Sequence, residues 1–515
     1  MAEIIDRVGH VPTNDGLHFL ACLSAVVEGH ETDMNLQGSI VRVADTLWRH
    51  HQAQILSILS QQRPFIHQQI LLATANLLIV HGLPQGEEVR HIRPDLAQDL
   101  VEVLLRVGDL IDPVAVGPSD DAKQRLILRK YQLAHHEPPP LALARWHTLL
   151  NDIAPRHQEF DAIGAFLGEC GLTPQGYFTA GLLLYAGFVV RGSQKGIGGV
   201  LPEMMLADAD YFRGVANVAT IVDTIGITPL QLRDELQEQQ ARGADLFYRF
   251  RHFRRSPLLR VGPAFMPISM ELLANRISVG AHYVVMERAT PSVQKAYMDW
   301  LGGVYEEYIT DTLGKAWPVH PGGKAPLADT TSFLTPMDVL LVENKTKRTR
   351  MDTVETGDLE HFRTDLSQVQ RGGSQLLQRV TDIRAGKYGL TVPTDAKLYP
   401  MVTTLESTPA VLALWDLVRE DCFCHRYGDD VVGPTVTSTF DIEVLTQAGL
   451  DGLDVLAALQ AWSADPTQFT LADYLIHETP WQARYPTWLD ETWKGLYRGA
   501  TDQLREAMGM GEPPA

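Results

Sequence analysis

Glu343 and Lys345, in the segment DVLLVENKTKR, are the residues whose types and spacing most suggest chemistry. The apolar run before them predicts a buried strand. Side chains on a strand alternate between its two faces, so Glu343 and Lys345 share a face with Leu341. Leu340 and Val342 then point into the core on the other face. A carboxylate and an ammonium at the end of a buried strand suit phosphodiester hydrolysis, in which carboxylates hold Mg²⁺ or Mn²⁺ and a lysine orients the attacking water. A surface ion pair would explain the same two residues.

A metal ion needs a second carboxylate, and two aspartates are candidates. If LTPM is the turn of a β-hairpin, Asp329 falls opposite residue 342 and close to Glu343 on the neighbouring strand. Asp338 precedes Glu343 by five positions, an odd spacing that turns it to the opposite face unless a bulge reverses it. Asp338 does follow a proline closely, in a near Pro-Asp arrangement. We prefer Asp329 as the metal ligand and keep Asp338 as the alternative.

The elements that would position these residues follow one another along the chain. A long amphipathic helix, PSVQKAYMDWLGGVYEEYITDTL, precedes three segments rich in β-branched and apolar residues, ADTTSFL, DVLLVENKTK and LYPMVTTLE. The segment SQLLQRVTDIRAGKYGL predicts a helix between the second and third of these strands. The order helix, strand, strand, helix, strand describes a small α/β domain.

This arrangement resembles the PD-(D/E)XK, or restriction-endonuclease-like, superfamily over residues 293 to 450, less than a third of the chain. In that family a helix with a glutamate precedes a strand with an aspartate, a strand with E-x-K and a helix that often carries glutamine. The matching residues here are Glu306 in GGVYEEYI, the E-x-K from Glu343 to Lys345, and Gln375 in GGSQLLQRV. The resemblance implies that Glu306 completes the outer shell of the metal and that Gln375 supports the site or contacts the substrate backbone.

The rest of the chain is predicted to be helical. Apolar residues recur at helical spacing over residues 1 to 137, as in HQQILLATANLLIVHGL, and a triple proline then ends this region. A second helical region spans 141 to 292, although SPLLRVGPAFMPISMELLANRI within it suggests an extended segment followed by a helix. We therefore predict an α+β multidomain protein in which a large all-helical N-terminal region precedes the restriction-endonuclease-like domain at 293 to 450 and C-terminal helices at 451 to 515.

Two basic clusters are candidates for contacts with nucleic acid. The run NKTKRTR adds Lys347, Arg348 and Arg350 just beyond the E-x-K, where a phosphate backbone would pass. The segment YRFRHFRRSPLLR interleaves arginines with aromatic residues that could stack on bases. A solvated loop explains the first cluster equally well, and a helix end whose arginines pair with carboxylates explains the second. The candidate residues of the two clusters are Lys347, Arg348, Arg350, Arg251, Arg254 and Arg255.

The composition limits these interpretations. The formal net charge of −19 and the pI near 5.4 oppose a surface coated for nucleic acid, so a nucleic-acid substrate would need a local basic cleft or a partner that delivers it. Four scattered cysteines do not make a disulfide framework, and no apolar run is long enough to span a membrane. The N-terminus lacks a basic region followed by an apolar stretch, so the expected location is the cytoplasm.

The sequence therefore predicts an endonuclease that depends on Mg²⁺ or Mn²⁺ and acts on DNA in preference to RNA. The N-terminal helical region would sense a signal, regulate the enzyme or bind a protein partner, and the sequence leaves open whether the chain forms an oligomer. Large helical regions joined to such nuclease domains occur in prokaryotic anti-phage defence proteins, so the resemblance implies that role. The alternative is a non-catalytic scaffold that keeps the fold to bind nucleic acid or protein.

Overall fold

The computed structural model shows a mixed α+β protein. Of the helices it describes, none is long and apolar enough to cross a membrane. The described residues are 1 to 507 except 29–32, 34, 37–39, 41–51, 61–65, 112–119, 132–136, 195–203, 288, 323–325, 347–348, 407–413, 415–417, 420–422, 424–426, 429, 465–469 and 483.

The N-terminal part begins with helices, as the apolar periodicity predicts. Their starts follow ordinary capping rules: Thr173 caps one helix through its side chain, and Pro174 occupies the first turn, where its missing N–H is not needed. The last α-helical turn of α7 continues into a π-helical turn and a 3₁₀ turn, Ala154–Arg156. The helices are α1 Ala2–Val8, α2 Thr13–Val27, α3 Gln52–Ser60, α4 Gln68–His81, α5 Pro94–Ile111, α6 Asp120–Tyr131, α7 Pro139–Thr148, α8 Ala162–Cys170 and α9 Pro174–Ser193.

A small four-stranded sheet follows, so the prediction of an all-helical N-terminal region is wrong here. The strand order is β1-β4-β3-β2, and β3 and β4 form the extended hairpin that the segment around Pro257 predicts. The other two strands have two residues each, too few to show a period of two in the sequence. The elements are β1 Ala207–Asp208, α10 Val218–Ile225, β2 Gly226–Ile227, α11 Pro229–Ala241, α12 Arg251–Arg255, β3 Leu258–Val261, β4 Ala264–Pro267, α13 Met270–Ile277 and α14 His282–Met286.

A five-stranded sheet of order β5-β6-β7-β8-β9 forms the centre of the C-terminal half. The β5–β6 and β6–β7 pairs are antiparallel, and the β7–β8 and β8–β9 pairs are parallel. The predicted order of one helix, two strands, a helix and a third strand is present, and β5 and β9 are additional. The elements are α15 Pro291–Leu313, β5 Val319–Pro321, β6 Thr330–Thr335, β7 Asp338–Lys345, α16 Met351–Thr356, α17 Leu359–Asp365, α18 Ser367–Arg384, β8 Lys397–Thr404, β9 Thr435–Ser438, α19 Thr439–Leu450, α20 Val455–Ala464, α21 Leu471–His477 and α22 Thr487–Ala507.

Both faces of this sheet are covered. Leu340 and Val342 belong to the main hydrophobic core, which includes residues from the first helix to the last. Val339 and Leu341 belong to a second core beneath α18, together with Leu376. The prediction that Leu340 and Val342 point into a core is confirmed. The other face of β7 is buried as well, because a parallel βαβ crossover places a helix over it. The crossover helix is α18, and its side chains therefore lie next to Glu343.

Candidate active site

The candidate site lies at the C-terminal end of β7. Lys345 Nζ donates a hydrogen bond to Glu343 Oε2 at 3.2 Å, as expected for two residues on the same face of a strand. The Glu343 side chain is completely buried, and that of Lys345 is only 11% exposed. A buried carboxylate must be paired or protonated, so this pair is more constrained than a surface ion pair.

Asp329, not Asp338, lies beside this pair. Thr330 is opposite Val342 in the β6–β7 register, which brings Asp329 level with Glu343, one position further along than the predicted hairpin turn implies. Asp329 Oδ2 accepts a hydrogen bond from the backbone N–H of Asn344 at 2.7 Å and lies 3.7 Å from Lys345 Nζ. The structure therefore brings Asp329, Glu343 and Lys345 together.

Asp338 occupies the other end of β7, about 17 Å from Glu343 at the usual rise of a strand. Its carboxylate accepts hydrogen bonds from the Thr335 hydroxyl at 2.6 Å and from the Tyr399 hydroxyl at 3.1 Å. These contacts hold the β6–β7 turn against β8. The alternative assignment of Asp338 as a metal ligand beside Glu343 is therefore wrong, because no bulge between the two residues reverses the direction of β7.

Glu306 on α15 shares the electrostatic environment of these residues. Burial, followed by the negative charge of Asp329, raises its pKa to about 7, although Lys345 and His157 oppose the shift. The same two causes raise the pKa of Glu343 to about 7 against the opposing charges of Lys345 and Arg379. The charge of Asp329 thus repels both glutamates, and each glutamate can exchange a proton near neutral pH.

Helix α18 supplies one predicted residue, Gln375, and one that the sequence analysis missed, Arg379. Gln375 Oε1 is buried and makes no hydrogen bond within the described part of the chain. Arg379, one turn later, places its Nε 3.6 Å from Glu343 Oε1, and its side chain is 12% exposed. The available signal was the spacing of four from Gln375, which places both side chains on one face of a helix.

His157 is a second residue that the sequence analysis missed, and it comes from the N-terminal helical region. Its Nε2 lies 2.7 Å from Glu307 Oε2, next to Glu306 on α15. Trp300 Nε1 donates a hydrogen bond to the His157 carbonyl at 3.1 Å. The N-terminal region therefore contacts α15 directly beside the candidate site. No local pattern around a single histidine could have indicated this contact.

The predicted basic clusters make contacts within the chain. Arg350 Nε donates a hydrogen bond to the buried carboxylate of Asp365 at 2.7 Å. Arg251 pairs with Asp352 at 2.6 Å, and Arg255 pairs with Glu235 at 3.1 Å. Arg254 Nη1 lies 3.6 Å from Met351 Sδ. Lys347 and Arg348 fall outside the described residues. The ion pairs of Arg251 and Arg255 agree with the alternative given for the second cluster, in which its arginines pair with carboxylates. Nucleic-acid binding by both clusters stays a prediction.

The donor atoms suit a hard divalent cation, although the present arrangement does not enclose one. Among the described residues, no group of three or more His, Cys, Asp or Glu side chains is placed to hold a metal ion. Asp329 and Glu343 nevertheless present carboxylate oxygens, the ligands that Mg²⁺ and Mn²⁺ prefer. Glu343 Oε1 is buried and makes no hydrogen bond within the described part of the chain. The residues therefore fit such an ion chemically, and the ammonium of Lys345 is the cation that contacts both carboxylates here.

Comparisons of this chain with models of known protein families, with characterised proteins and with solved structures find no match. The chemistry of the cluster around Glu343 must therefore be inferred from its own geometry and charges.

Proposed function

We propose that this protein is a metal-dependent nuclease that hydrolyses phosphodiester bonds, with Asp329, Glu343 and Lys345 as its central residues. One observation carries the proposal: Lys345 Nζ lies 3.2 Å from Glu343 and 3.7 Å from Asp329, at the end of a buried strand. Two carboxylates from neighbouring strands and one lysine thus converge where the resemblance to the PD-(D/E)XK superfamily expects them. The order of α15, β5, β6, β7, α18 and β8 supports the same resemblance.

Each residue has a role that its position allows. Asp329 and Glu343 would hold Mg²⁺ or Mn²⁺, which when bound lowers the pKa of a water molecule and so supplies the nucleophile. The Lys345 ammonium would then turn from Glu343 to orient that water and to stabilise negative charge on the phosphate. Glu306, with its pKa raised to about 7, can accept a proton near neutral pH, and Gln375 would contact the substrate backbone.

The same resemblance favours DNA over RNA as the substrate. It also implies a role in anti-phage defence, in which the N-terminal helical region regulates the nuclease or binds a partner. The contact of His157 with α15 supports a regulatory connection, because it joins that region to the helix that carries Glu306. The net charge of −19 requires the nucleic acid to be held by a few local cations rather than by the whole surface.

Cleavage assays with Lys345→Met test the proposal. We expect the wild-type chain to cleave plasmid or single-stranded DNA with Mg²⁺ or Mn²⁺, with RNA substrates cleaved more slowly. Lys345→Met should reduce the cleavage rate at least about 100-fold, since it removes the ammonium but keeps the length of the side chain. Lys295→Met is the matched control, because Lys295 is 78% exposed on α15 and, among the residues that the structure describes, forms its ion pair with Asp299. Metal-dependent cleavage that survives Lys345→Met would refute the site.

A non-catalytic scaffold is the second candidate, and the lysine contact itself favours it. An ammonium that already pairs with both Glu343 and Asp329 can serve as a permanent structural ion pair. The two functions differ in their response to metal. A nuclease should gain stability on addition of Mg²⁺, about 2.7 kcal/mol at a concentration 100 times the Kd, and Asp329→Asn should weaken this gain. A scaffold should unfold at the same temperature with Mg²⁺ and with chelator.

A further inference from the structure

Arg379 is a mostly buried arginine whose Nε makes no hydrogen bond to any residue that the structure describes. Its side chain is 12% exposed and its Nε lies 3.6 Å from Glu343 Oε1, which is within ion-pair distance but beyond a hydrogen bond. Within the described residues, neither this Nε nor Glu343 Oε1 makes a hydrogen bond. A buried guanidinium N–H without a hydrogen bond is unfavourable unless another group accepts from it.

Three other arginines of the chain are held differently. Arg145 donates from Nε and from a terminal nitrogen to the two carboxylate oxygens of Glu443, both at 2.6 Å. Arg249 donates to Glu355 at 2.8 Å, and Arg350 donates to Asp365 at 2.7 Å. These guanidinium groups are fixed by hydrogen bonds to carboxylates. That of Arg379 is not, so it can turn towards a ligand.

Helix α18 passes over Lys345 and brings Arg379 to the other carboxylate oxygen of Glu343. A Cβ atom added to Gly372 would lie 3.2 Å from Lys345 Cε, so this face of α18 passes directly over the lysine. Gln375 and Arg379 follow at three and seven positions, on the same face of the helix. Lys345 approaches Glu343 at Oε2, and Arg379 approaches it at Oε1. Two cations therefore flank one carboxylate. The buried Oε1 of Gln375, which makes no hydrogen bond to any residue that the structure describes, lies on the same helix face.

We propose that Arg379 is a substrate-binding residue that holds a non-bridging oxygen of the scissile phosphate, on the side of Glu343 away from Lys345. This inference rests on the proposed nuclease function and names a residue that the resemblance did not supply. A guanidinium is suited to this task because its planar set of N–H donors matches two phosphate oxygens. With Glu343 holding a metal ion, its charge would no longer neutralise Arg379, and a phosphate oxygen would take its place beside the guanidinium.

The test compares Arg379→Met and Arg379→Lys with the wild-type chain. Binding of a labelled DNA duplex is measured by fluorescence anisotropy with Ca²⁺, and single-turnover cleavage is measured with Mg²⁺ over a range of enzyme concentrations. Arg379→Met should weaken binding about tenfold and lower the cleavage rate constant further, and Arg379→Lys should recover part of the binding. Arg379→Met should keep the Mg²⁺-dependent rise in melting temperature, because Asp329 and Glu343 remain.

Arg384→Met is the matched control. Arg384 is also on α18, and its guanidinium is held by Asp430 and by the Tyr427 carbonyl. It therefore controls for the loss of one partly buried arginine from this helix. Its DNA binding should equal that of the wild-type chain at a temperature where both are folded.

The outcomes separate this inference from the proposed function. If Arg379→Met binds and cleaves DNA within twofold of the wild-type chain, the inference is overturned while the nuclease stands. If Arg379→Met loses the Mg²⁺-dependent stabilisation, Arg379 supports Glu343 rather than substrate, which also overturns the inference. If the wild-type chain binds DNA without cleaving it, the anisotropy comparison still decides the role of Arg379. A wild-type chain that neither binds DNA nor responds to metal overturns both proposals.

Discussion

At the scale of single residues, the candidate site is defined by the number of charges that share one small, buried space. Glu343 is completely buried, yet Asp329 adds a second negative charge beside it, and Lys345 and Arg379 supply the compensation. Clusters of this kind move proton affinities towards neutral pH, and such shifts are more frequent at functional sites than elsewhere. The same charges make the stability of the protein depend on pH.

The pH dependence of stability should change in Glu343→Gln. Burial and Asp329 raise the pKa of Glu343 from 4.5 to about 7, so the folded protein binds this proton more tightly than the unfolded chain. The stabilisation from this proton is fully present below about pH 4.5 and is lost as the pH rises through 7. Glu343→Gln removes this loss. From pH 5 to pH 8, its free energy of unfolding should therefore rise by about 1 to 3 kcal/mol relative to that of the wild-type chain.

Urea unfolding at pH 5 and pH 8 with chelator present measures this difference. Glu360→Gln is the control, because Glu360 is 78% exposed and should give the same difference from the wild-type chain at both pH values. If Glu343→Gln also shows no change between the two pH values, Glu343 does not titrate in this range.

At the scale of elements, the site depends on how closely α18 approaches the sheet. A Cβ atom at position 372 would lie 2.9 Å from Val402 Cγ2 and 3.2 Å from Lys345 Cε, both below ordinary contact distances. Val402 is completely buried on β8, where close packing makes a shift of its side chain unfavourable. Gly372 therefore allows α18 to pack on β7 and β8 at the distance that brings Arg379 to Glu343.

We expect Gly372→Ala to destabilise the protein and to disturb the site. The clash should reduce the free energy of unfolding by about 1 to 3 kcal/mol, more than the roughly 1 kcal/mol that alanine contributes to a helix. Cleavage should also decrease, since Lys345 must move. Gly302→Ala in α15 is the matched control: an added Cβ there meets no atom within 4 Å, so stability should rise by about 0.5 to 1 kcal/mol. Denaturant unfolding that shows the same sign for both substitutions would contradict this account of Gly372.

At the scale of the whole molecule, a buried ion pair joins the N-terminal region to the C-terminal half. Arg145 on α7 donates two hydrogen bonds to Glu443 on α19, and Tyr308 on α15 donates to the same carboxylate. The main core likewise includes residues from all four of the predicted regions, from Ile4 to Leu504. These contacts would make the regions unfold together rather than one by one.

Replacement of Arg145 should show how strongly the regions are coupled. Arg145→Met leaves Glu443 buried without its cation, which should reduce the free energy of unfolding by about 3 to 5 kcal/mol. The double substitution Arg145→Met with Glu443→Gln removes both charges while Gln can still accept from Tyr308, so it should recover most of this loss. Urea unfolding followed by circular dichroism measures both variants. A double variant as unstable as Arg145→Met would show that the ion pair itself, not the unpaired charge, determines stability.

The local sequence pattern was sufficient to predict some of the helices and strands of this protein. Helix α15 agrees with the amphipathic segment from Pro291 to Leu313, and β6, β7 and β8 lie within a few residues of the predicted strands. The shared face of Glu343 and Lys345 follows from the period of two along any strand. Such features depend on neighbours in the sequence, so the amino-acid sequence by itself determined them.

Tertiary structure decided what depends on contacts between distant segments. The β6–β7 register brought Asp329 to Glu343 and left Asp338 at the other end of the strand. The packing of α18 over β7 added Arg379, and the packing of the N-terminal region on α15 added His157. The short strands of the four-stranded sheet likewise exist only through their pairing. A sequence shows which side chains share a face of one element, but register and packing between elements determine which of those faces meet.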